Sequence, residues 1–403
     1  MKKRHLNKLI LFFFCAFCFA QQHPSLEPLF LPEDVPVNAD STGTELSADE
    51  VFKLSLLFSE CPPDSPQGQF CLEQFQKIKE EVTGQSFMSQ SAEDRGRAIL
   101  KLLYRNYLKT YEFTQTRLDV ALTSGIYNCV SSALLYMAAA KAAGLTVRGQ
   151  KTLEHAFCTV YIPGTKSGQY KKIDVETTNP YGFNPGSKET IENEDNIKRY
   201  YVVPKAYYSN RQEVTDTIFA GLIAGNLCAG YIEQDNYIDA VPLGAARYQL
   251  VRNEKSNAAN QARNDFDVLA ANYVNTDVRD AVSFDGIVEW YTSFIDRWGM
   301  TDFLQKNMDN AVYNLLVLCA QENNYEFAVA SVQKYKAYIS QNQYSKQFYN
   351  VFIVIIHNNF ADQANNGNYD TALQILEDGL QQYPNDKTLK KDLSDLQKVM
   401  KNR

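Results

Sequence analysis

The hydrophobic positions of the chain change their spacing twice along its length. From Ser47 onward, apolar residues recur at helical intervals in SADEVFKLSLLF, LEQFQKIKEEV and AEDRGRAILKLLYRNYLKTY. Between about residue 148 and about residue 205, the stretches AFCTVYI and QYKKIDVE are β-prone, and the turn cluster PGTKSG separates them. After that the spacing is helical again. The pattern therefore predicts an α+β region with a β-hairpin, followed by an all-α region.

The first twenty residues differ from the rest of the chain. A basic start, MKKRHLNK, precedes the apolar run LILFFFCAFCFA, which is too short to span a bilayer. This is typical of a secretory signal peptide, with cleavage after Ala20. A lipoprotein would use Cys15 or Cys18, but each follows a bulky Phe, so we favour the signal peptide. We expect an exported protein, periplasmic or secreted, without an integral membrane segment after cleavage.

Length and charge narrow the function classes. The chain has 403 residues, which suggests two or three domains, and its 47 acidic against 40 basic residues give a formal net charge of −7. Without a basic stripe, we expect no nucleic-acid partner. Residues 21–46 are rich in Pro, Ser, Asp and Glu without a period, which predicts a flexible leader. The predicted divisions are a signal peptide (1–20), the leader (21–46), an α+β domain (47–205) and a helical domain (206–403).

The helical domain contains a weak internal repeat. In NGNYDTALQILEDGLQQYP, Ala372 follows Tyr369 by three residues and Pro384 follows the predicted helix; NNYEFAVAS and QDNYIDAVP open in the same way. These marks resemble tetratricopeptide repeats, in which a small residue lets paired helices approach closely. The resemblance implies a helix-pair solenoid of tetratricopeptide type, and such a surface suits a protein partner.

The cysteines are too sparse for a disulfide scaffold. CPPDSPQGQFC brackets a Pro/Gly loop with Cys61 and Cys71, which predicts a disulfide in an oxidising compartment; two unpaired thiols are the alternative. There is no CxxC pair and there are few histidines, so we expect no metal and no cofactor. Three further cysteines are interpreted as packing residues: Cys158, Cys228 and Cys319. The aromatic residues of VEWYTSFIDRW have helical spacing, which favours packing over lining a groove.

Cys129 stands at the start of the strongly helix-favouring segment CVSSALLYMAAAKAAG. Asn128 can cap this helix, and Gly144 can end it. The first turn of a helix has unpaired N–H groups and a dipole that favour a thiolate and can hold an oxyanion beside it. This position predicts a nucleophile; a structural residue at the start of a core helix is the alternative. Tyr127 and Asn128 are the candidate oxyanion donors, against packing and capping roles.

The hairpin supplies a base and an acid. If it turns symmetrically about PGTKSG, Asp174 lies opposite Phe157, and His155 lies opposite Glu176. His155 and Asp174 then share one face as diagonal neighbours, about 7–8 Å apart at the backbone. Asp174 can orient the imidazole toward Cys129, with Glu176 as the fallback. The alternatives are a structural histidine and a solvated strand aspartate.

Three stretches, GIYNCVSSALLYMAAAKAAGL, EHAFCTVYI and KKIDVETTNPYG, together resemble the transglutaminase-like superfamily over about residues 91–187. The resemblance implies a papain-like α+β fold, with a helix first and an antiparallel sheet after it. It assigns Cys129 as the nucleophile, His155 as the base and Asp174 as the orienting acid. The superfamily includes protein cross-linkers, peptidases, amidases and inactive members.

We therefore expect an exported cysteine enzyme that hydrolyses or transamidates an amide or peptide bond of a protein or peptide substrate. The alternative is a non-catalytic periplasmic scaffold or peptide-binding protein that uses the helical repeats.

Overall fold

The structure, a computed structural model, describes residues 22–30, 45–164, 166, 168–185, 208, 210–278, 280–340 and 345–401. The predicted signal peptide lies outside the described residues. Within them, helices and strands alternate in the N-terminal region, and the region after residue 215 is helical. The α+β class that the hydrophobic pattern predicts is confirmed at this level.

The N-terminal region contains the helices α1 (Ala48–Phe58), α2 (Pro66–Val82), α3 (Gln85–Met88), α4 (Ala92–Asn106), α5 (Leu118–Thr123) and α6 (Cys129–Ala142). Its strands are β1 (Thr110–Tyr111), β2 (Ile126–Tyr127), β3 (Thr146–Lys151), β4 (Ala156–Pro163), β5 (Tyr170–Val175) and β6 (Gln212–Val214). Helix α1 begins at a capping box formed by Ser47 and Glu50. Helix α4 ends earlier than its apolar period predicts, because the chain turns there and β1 pairs with β2 in parallel.

Helix α6 is the centre of this region. It packs on β3 and β4, and α1, α2, α4 and α5 contact it from other sides. Nearly every residue of α6 is buried, as expected for a helix that is apolar on all its faces. The antiparallel sheet has the strand order β5-β4-β3-β6. This arrangement brings the start of α6 close to the start of β4.

The C-terminal region contains α7 (Asp216–Ala220), α8 (Leu222–Ile232), α9 (Tyr237–Val251), α10 (Asn257–Val274), α11 (Ala281–Trp298), α12 (Asp302–Gln321), α13 (Tyr325–Tyr335), α14 (Ser345–Asn365), α15 (Tyr369–Gln382) and α16 (Lys387–Lys401). None of the described helices is long and apolar enough to cross a membrane.

The internal repeat corresponds to a repeated local structure. Helices α9, α13 and α15 each begin at the tyrosine of the repeat, directly after an asparagine, and each packs against the helix before it. The alanine three residues after each tyrosine is fully buried: Ala240, Ala328 and Ala372. A small residue at this position lets the two helices of a pair approach closely.

Part of the predicted flexible leader is packed. The indole N–H of Trp290 donates a hydrogen bond to the carbonyl of Pro24 at 2.7 Å. The rings of Phe30 and Phe58 lie 5.2 Å apart, edge to face. Residues 22–30 therefore join α11 to α1, which corrects the prediction of a flexible leader for this segment. Aromatic side chains supply these contacts, and a prediction based on the Pro, Ser, Asp and Glu content of the segment does not take them into account.

The six described cysteines are unbonded and buried. The side chains of Cys61 and Cys71 contact each other through a hydrogen bond, so the predicted disulfide has its two partners together; the bond itself stays a prediction. The thiol of Cys158 lies 3.3 Å from the carbonyl of Ala133 in α6, in the core as predicted. Cys228 and Cys319 are also buried among helices.

The aromatic residues of α11 pack inside the helical region, as their spacing predicts. The ring of Trp290 lies 4.7 Å from that of Tyr273, and the ring of Phe294 lies 4.8 Å from that of Phe266. Tyr291 is fully buried. These side chains therefore form part of the core between α10 and α11.

Candidate active site

The start of α6 is capped as the sequence predicts. The side-chain oxygen of Asn128 accepts hydrogen bonds from the backbone N–H groups of Val130, at 2.9 Å, and Ser131, at 3.2 Å. The hydroxyl of Ser131 accepts in return from the N–H of Asn128 at 3.0 Å. The side-chain amide of Asn128 donates to the carbonyl of Phe113 at 3.1 Å. Cys129 is thus held in the first turn, and Asn128 acts as a cap rather than as an oxyanion donor.

Unlike the N–H groups of Val130 and Ser131, the backbone N–H of Cys129 does not donate to the Asn128 side chain. Among the described residues none accepts a hydrogen bond from it. The hydroxyl of Tyr127, the other predicted donor, lies 2.9 Å from that of Tyr104 and is buried. Burial raises the pKa of Tyr127 and so keeps that hydroxyl protonated. Among these three groups, the backbone N–H of Cys129 is the one without a hydrogen-bond acceptor in the described part of the chain.

His155 directly precedes β4, where a tight turn holds its backbone. Its carbonyl accepts from the N–H of Thr152 at 2.8 Å. The ring nitrogen Nε2 lies 2.7 Å from a carboxylate oxygen of Glu176, and the side chain of Cys129 is a second hydrogen-bond partner of the imidazole. The structure thus brings Cys129 and His155 together.

The electrostatics of the pair follow from these contacts. Burial of the imidazole lowers the pKa of His155, but the hydrogen bonds to Cys129 and Glu176 outweigh burial and raise it to about 9. At neutral pH the imidazole therefore carries a proton. Cysteine enzymes activate the sulfur as a thiolate beside an imidazolium, with the thiol proton held by the histidine.

Glu176 is a buried carboxylate with a full set of partners. One oxygen accepts from the N–H and the hydroxyl of Thr178, at 3.1 Å and 2.7 Å. The other accepts from the hydroxyl of Tyr208 at 2.7 Å, in addition to His155. Burial and the neighbouring Glu176 raise the pKa of Tyr208, which keeps it a donor. These bonds compensate the cost of burying the charge and fix the orientation of the acid.

The hairpin register differs from the symmetric turn predicted from the sequence. Asp174 pairs with Thr159 rather than with Phe157. The difference comes from the position of the turn. The N–H of Gly164 donates a hydrogen bond to the carbonyl of Gln169 at 2.7 Å, and this places the centre of the turn one residue further along the chain than the symmetric turn predicts. The shift is two residues in the pairing, so Asp174 and His155 still point to one face.

Asp174 is therefore not the orienting acid, which corrects the predicted triad. Its carboxylate accepts from the hydroxyl of Thr159 at 2.8 Å and forms an ion pair with Arg211. Glu176, the fallback, occupies the diagonal position next to His155. Thr178 and Tyr208 were missed by sequence reasoning; Thr178 follows closely in DVETT, but Tyr208 lies far along the chain and has no motif.

Access to the thiol is narrow. Cys129 is 8% exposed and His155 is 5% exposed. A cavity of about 460 Å³ lies beside Leu29 and Pro62, and another of about 340 Å³ lies among the C-terminal helices; neither is lined by Cys129 or His155. Among the described residues, no group of three or more His, Cys, Asp or Glu side chains could hold a metal ion.

No family model matches the sequence, and no curated protein matches it either. A crystal structure of menin, described as revealing the binding site for the Mixed Lineage Leukemia (MLL) protein, is similar to this chain with a TM-score of 0.28 and 12% identity. The alignment covers 83% of this chain and 78% of that chain. So weak a likeness does not indicate a transglutaminase-like fold, and nothing about function follows from it.

Proposed function

We propose that this chain is a cysteine enzyme that transfers an acyl group from an amide or peptide bond, with Cys129 as the nucleophile. One observation carries the proposal: a buried imidazole, His155, contacts a thiol on one side and a buried carboxylate, Glu176, on the other. Cys129 lies at a helix N-terminus, where negative charge is stabilised. Glu176 takes the orienting role that the sequence resemblance assigns to Asp174.

The proposed reaction begins with the thiolate of Cys129, whose proton is held by His155, and the sulfur attacks the substrate carbonyl carbon. As the C–S bond forms, the carbonyl oxygen becomes negative and accepts a hydrogen bond from the backbone N–H of Cys129. His155 then gives its proton to the leaving amine, the C–N bond breaks, and a thioester remains. Water, deprotonated by His155, then attacks the thioester carbonyl carbon; the C–S bond breaks, the acid is released, and the thiolate of Cys129 beside a protonated His155 is restored. An amine in place of water gives transamidation instead.

The finer fold assignment is part of this proposal. A transglutaminase-like core is supported by a helix that begins at Cys129 and precedes an antiparallel sheet carrying His155. A tetratricopeptide-like solenoid is supported by the three helices that open at a tyrosine and bury an alanine. Export is supported by the N-terminal sequence alone.

A second candidate is a non-catalytic scaffold or peptide-binding protein. The low exposure of Cys129 and His155 favours it, as does the position of the two cavities away from them. The cavity of about 340 Å³ has apolar lining residues from the repeat helices, among them Leu316, Val332 and Phe352.

Iodoacetamide separates the two candidates. The reduced chain is alkylated between about pH 5 and about pH 9, and the rate at each cysteine is read by peptide mass spectrometry. The enzyme predicts that, near pH 6.5, Cys129 reacts at least tenfold faster than Cys319, because only Cys129 has an imidazolium partner. His155→Ala should remove this advantage, and His357→Ala should leave it unchanged. Equal, slow labelling of all cysteines would establish the scaffold instead.

A matched pair of variants tests which acid orients the imidazole. Glu176→Gln keeps the shape but removes the charge beside His155, so alkylation of Cys129 near pH 6.5 should fall by about tenfold or more. Asp174→Asn should change this rate by less than about twofold, because Asp174 pairs with Arg211. The opposite ranking would restore Asp174 to the triad.

A further inference from the structure

Buried hydroxyl groups connect the first turn of α6 with the segment that follows β5. The hydroxyl of Ser132 lies 2.7 Å from the carbonyl oxygen of Asn128 and 2.9 Å from the hydroxyl of Thr177. The carbonyl oxygen of Cys129 is more distant, at 3.4 Å. Because a carbonyl only accepts, Ser132 donates its one hydrogen to Asn128, and Thr177 donates to Ser132. Ser132 and Thr177 are fully buried, so these hydrogen bonds lie out of contact with bulk solvent.

The Asn128 carbonyl belongs to the peptide group that also carries the backbone N–H of Cys129. This group is planar and trans, so its N–H points in the direction opposite to its C=O. A hydrogen bond that fixes the direction of the carbonyl therefore fixes the direction of the N–H. The backbone N–H of Ser132 donates to the same carbonyl at 3.1 Å, so two donors hold this oxygen. Donation to the carbonyl also polarises the peptide group, which makes its N–H a stronger donor.

Thr177 is held in turn by a tyrosine of α4. The hydroxyl of Tyr104 donates to the carbonyl of Thr177 at 2.8 Å and accepts from the hydroxyl of Tyr127 at 2.9 Å. Burial raises the pKa of Tyr104, which keeps its hydroxyl protonated. Thr177 directly follows Glu176, the carboxylate that contacts His155. These hydrogen bonds therefore join the first turn of α6 to the segment that carries the acid.

We propose that Ser132 and Thr177 are positioning residues that orient the backbone N–H of Cys129 toward the oxygen of the attacked carbonyl. This inference rests on the proposed function. Both residues act through the Asn128 carbonyl and not on the substrate, because both are fully buried. A donor whose direction is fixed before the reaction stabilises a developing negative oxygen without further reorganisation. Without the Ser132 hydroxyl, the peptide group loses one of its two donors, and the direction of its N–H is less well fixed.

Two small reagents separate this role from activation of the sulfur. Para-nitrophenyl acetate acylates a thiolate: the C–S bond forms, the carbonyl oxygen becomes negative, and para-nitrophenolate leaves. Iodoacetamide alkylates the same thiolate at a saturated carbon and releases iodide, so that no oxyanion forms. Acylation is measured on the full chain as release of para-nitrophenolate, with Cys129→Ala as the background. Alkylation of Cys129 is measured by peptide mass spectrometry.

Ser132→Ala and Thr177→Val should each lower the rate of acylation by about tenfold, which is less than for loss of an oxyanion donor because the N–H remains. Alkylation near pH 6.5 should change by less than about threefold, because the contacts that activate the thiolate do not involve these hydroxyls. The ratio of the two rates is therefore the diagnostic quantity.

Two further variants complete the comparison. Thr177→Ser keeps the hydroxyl and should retain the acylation rate of the unaltered chain. Ser331→Ala is the matched control, because Ser331 is buried in α13 and its hydroxyl donates at 2.8 Å to the carbonyl of Phe327, four residues earlier. It should change neither rate. If Ser132→Ala does not fold, the comparison of Thr177→Val with Thr177→Ser decides.

The inference and the proposed function fail in different ways. If both rates are unchanged in the variants, if both fall together, or if Thr177→Ser does not retain acylation, the hydroxyls do not orient the N–H. The inference is then overturned while the cysteine chemistry stands. The same conclusion follows if the unaltered chain releases no more para-nitrophenolate than Cys129→Ala but is alkylated selectively at Cys129. If iodoacetamide fails to label Cys129 selectively in the unaltered chain, the proposed function is wrong, and the inference is overturned with it.

Discussion

Each half of the molecule holds a histidine hydrogen-bonded to a carboxylate at 2.7 Å. In the N-terminal region the pair is His155 and Glu176, whose side chains are 2% and 1% exposed. In the C-terminal region it is His357 and Asp392, at 44% and 12%. The distances are equal, so distance alone does not make a candidate active site. Burial, and a thiol on the other side of the imidazole, separate the two pairs.

The residues around each carboxylate explain why only the pair of His155 and Glu176 resembles an active site. Glu176 also accepts hydrogen bonds from Thr178 and Tyr208, so its orientation is fixed inside the protein. Asp392 lies in α16, and the buried apolar residues of this helix are part of a small apolar cluster near the C-terminus. A buried, fully bonded charge interacts strongly with its neighbours, whereas solvent screens a charge near the surface.

Removing the acid from each pair should give the largest difference between the two regions. Glu176→Ala leaves the buried charged imidazole of His155 without its partner, and we expect a loss of about 3–5 kcal/mol in the free energy of unfolding. Asp392→Ala should cost less than about 1 kcal/mol. Urea denaturation near pH 7 measures both, and comparable losses would contradict the difference in burial.

The pH dependence of stability should come from the buried pair. The pKa of His155 is raised from 6.5 to about 9 in the folded chain, so the folded state binds the proton more tightly than the unfolded state. The resulting stabilisation is fully present below about pH 6.5 and is lost as the pH rises through about 9. Its size is about 3 kcal/mol at 1.36 kcal/mol per unit of pKa.

Urea denaturation at several pH values, for the unaltered chain and for His155→Gln, isolates this contribution. The stability difference between the two chains should shrink as the pH rises from about 6.5 to about 9.5. A difference that is constant over this range would show that His155 is neutral in the folded protein.

The pair of thiols Cys61 and Cys71 should have a smaller effect on the free energy of unfolding. The loop between Cys61 and Cys71 is tightly packed: a side chain at Gly68 would lie 2.0 Å from the carbonyl oxygen of Pro62. The two thiols contact each other in the folded chain, so the partners of the predicted disulfide already lie together. Closing so short a loop should add about 2–3 kcal/mol to the free energy of unfolding.

Alkylation of the unfolded chain before and after reduction counts the thiols. We expect two additional labelled cysteines after reduction, both lost in the Cys61→Ser/Cys71→Ser double variant, and no such change for Cys319→Ser. If all six described cysteines label without reduction in chain exposed to a disulfide oxidant, the pairing prediction is wrong.

Local signals predicted a large part of the fold. The capping box at Ser47, the cap at Asn128 and the stop at Gly144 depend on residues within one helical turn, and the structure has all three. The tyrosines that open α9, α13 and α15 are also local marks. Such signals are readable because the hydrogen bonds that they satisfy lie next to them in the sequence.

The amino-acid sequence by itself determined that α6 begins at Cys129 and that His155, Asp174 and Glu176 point to one face of the sheet. Only the tertiary structure decided that Glu176, not Asp174, reaches His155, that Tyr208 joins them, and that residues 22–30 pack against α11. The physical reason is that strand alternation repeats every two residues, so a two-residue shift in register leaves the pattern unchanged. Contacts between distant segments depend on how the whole chain packs, which no local pattern specifies.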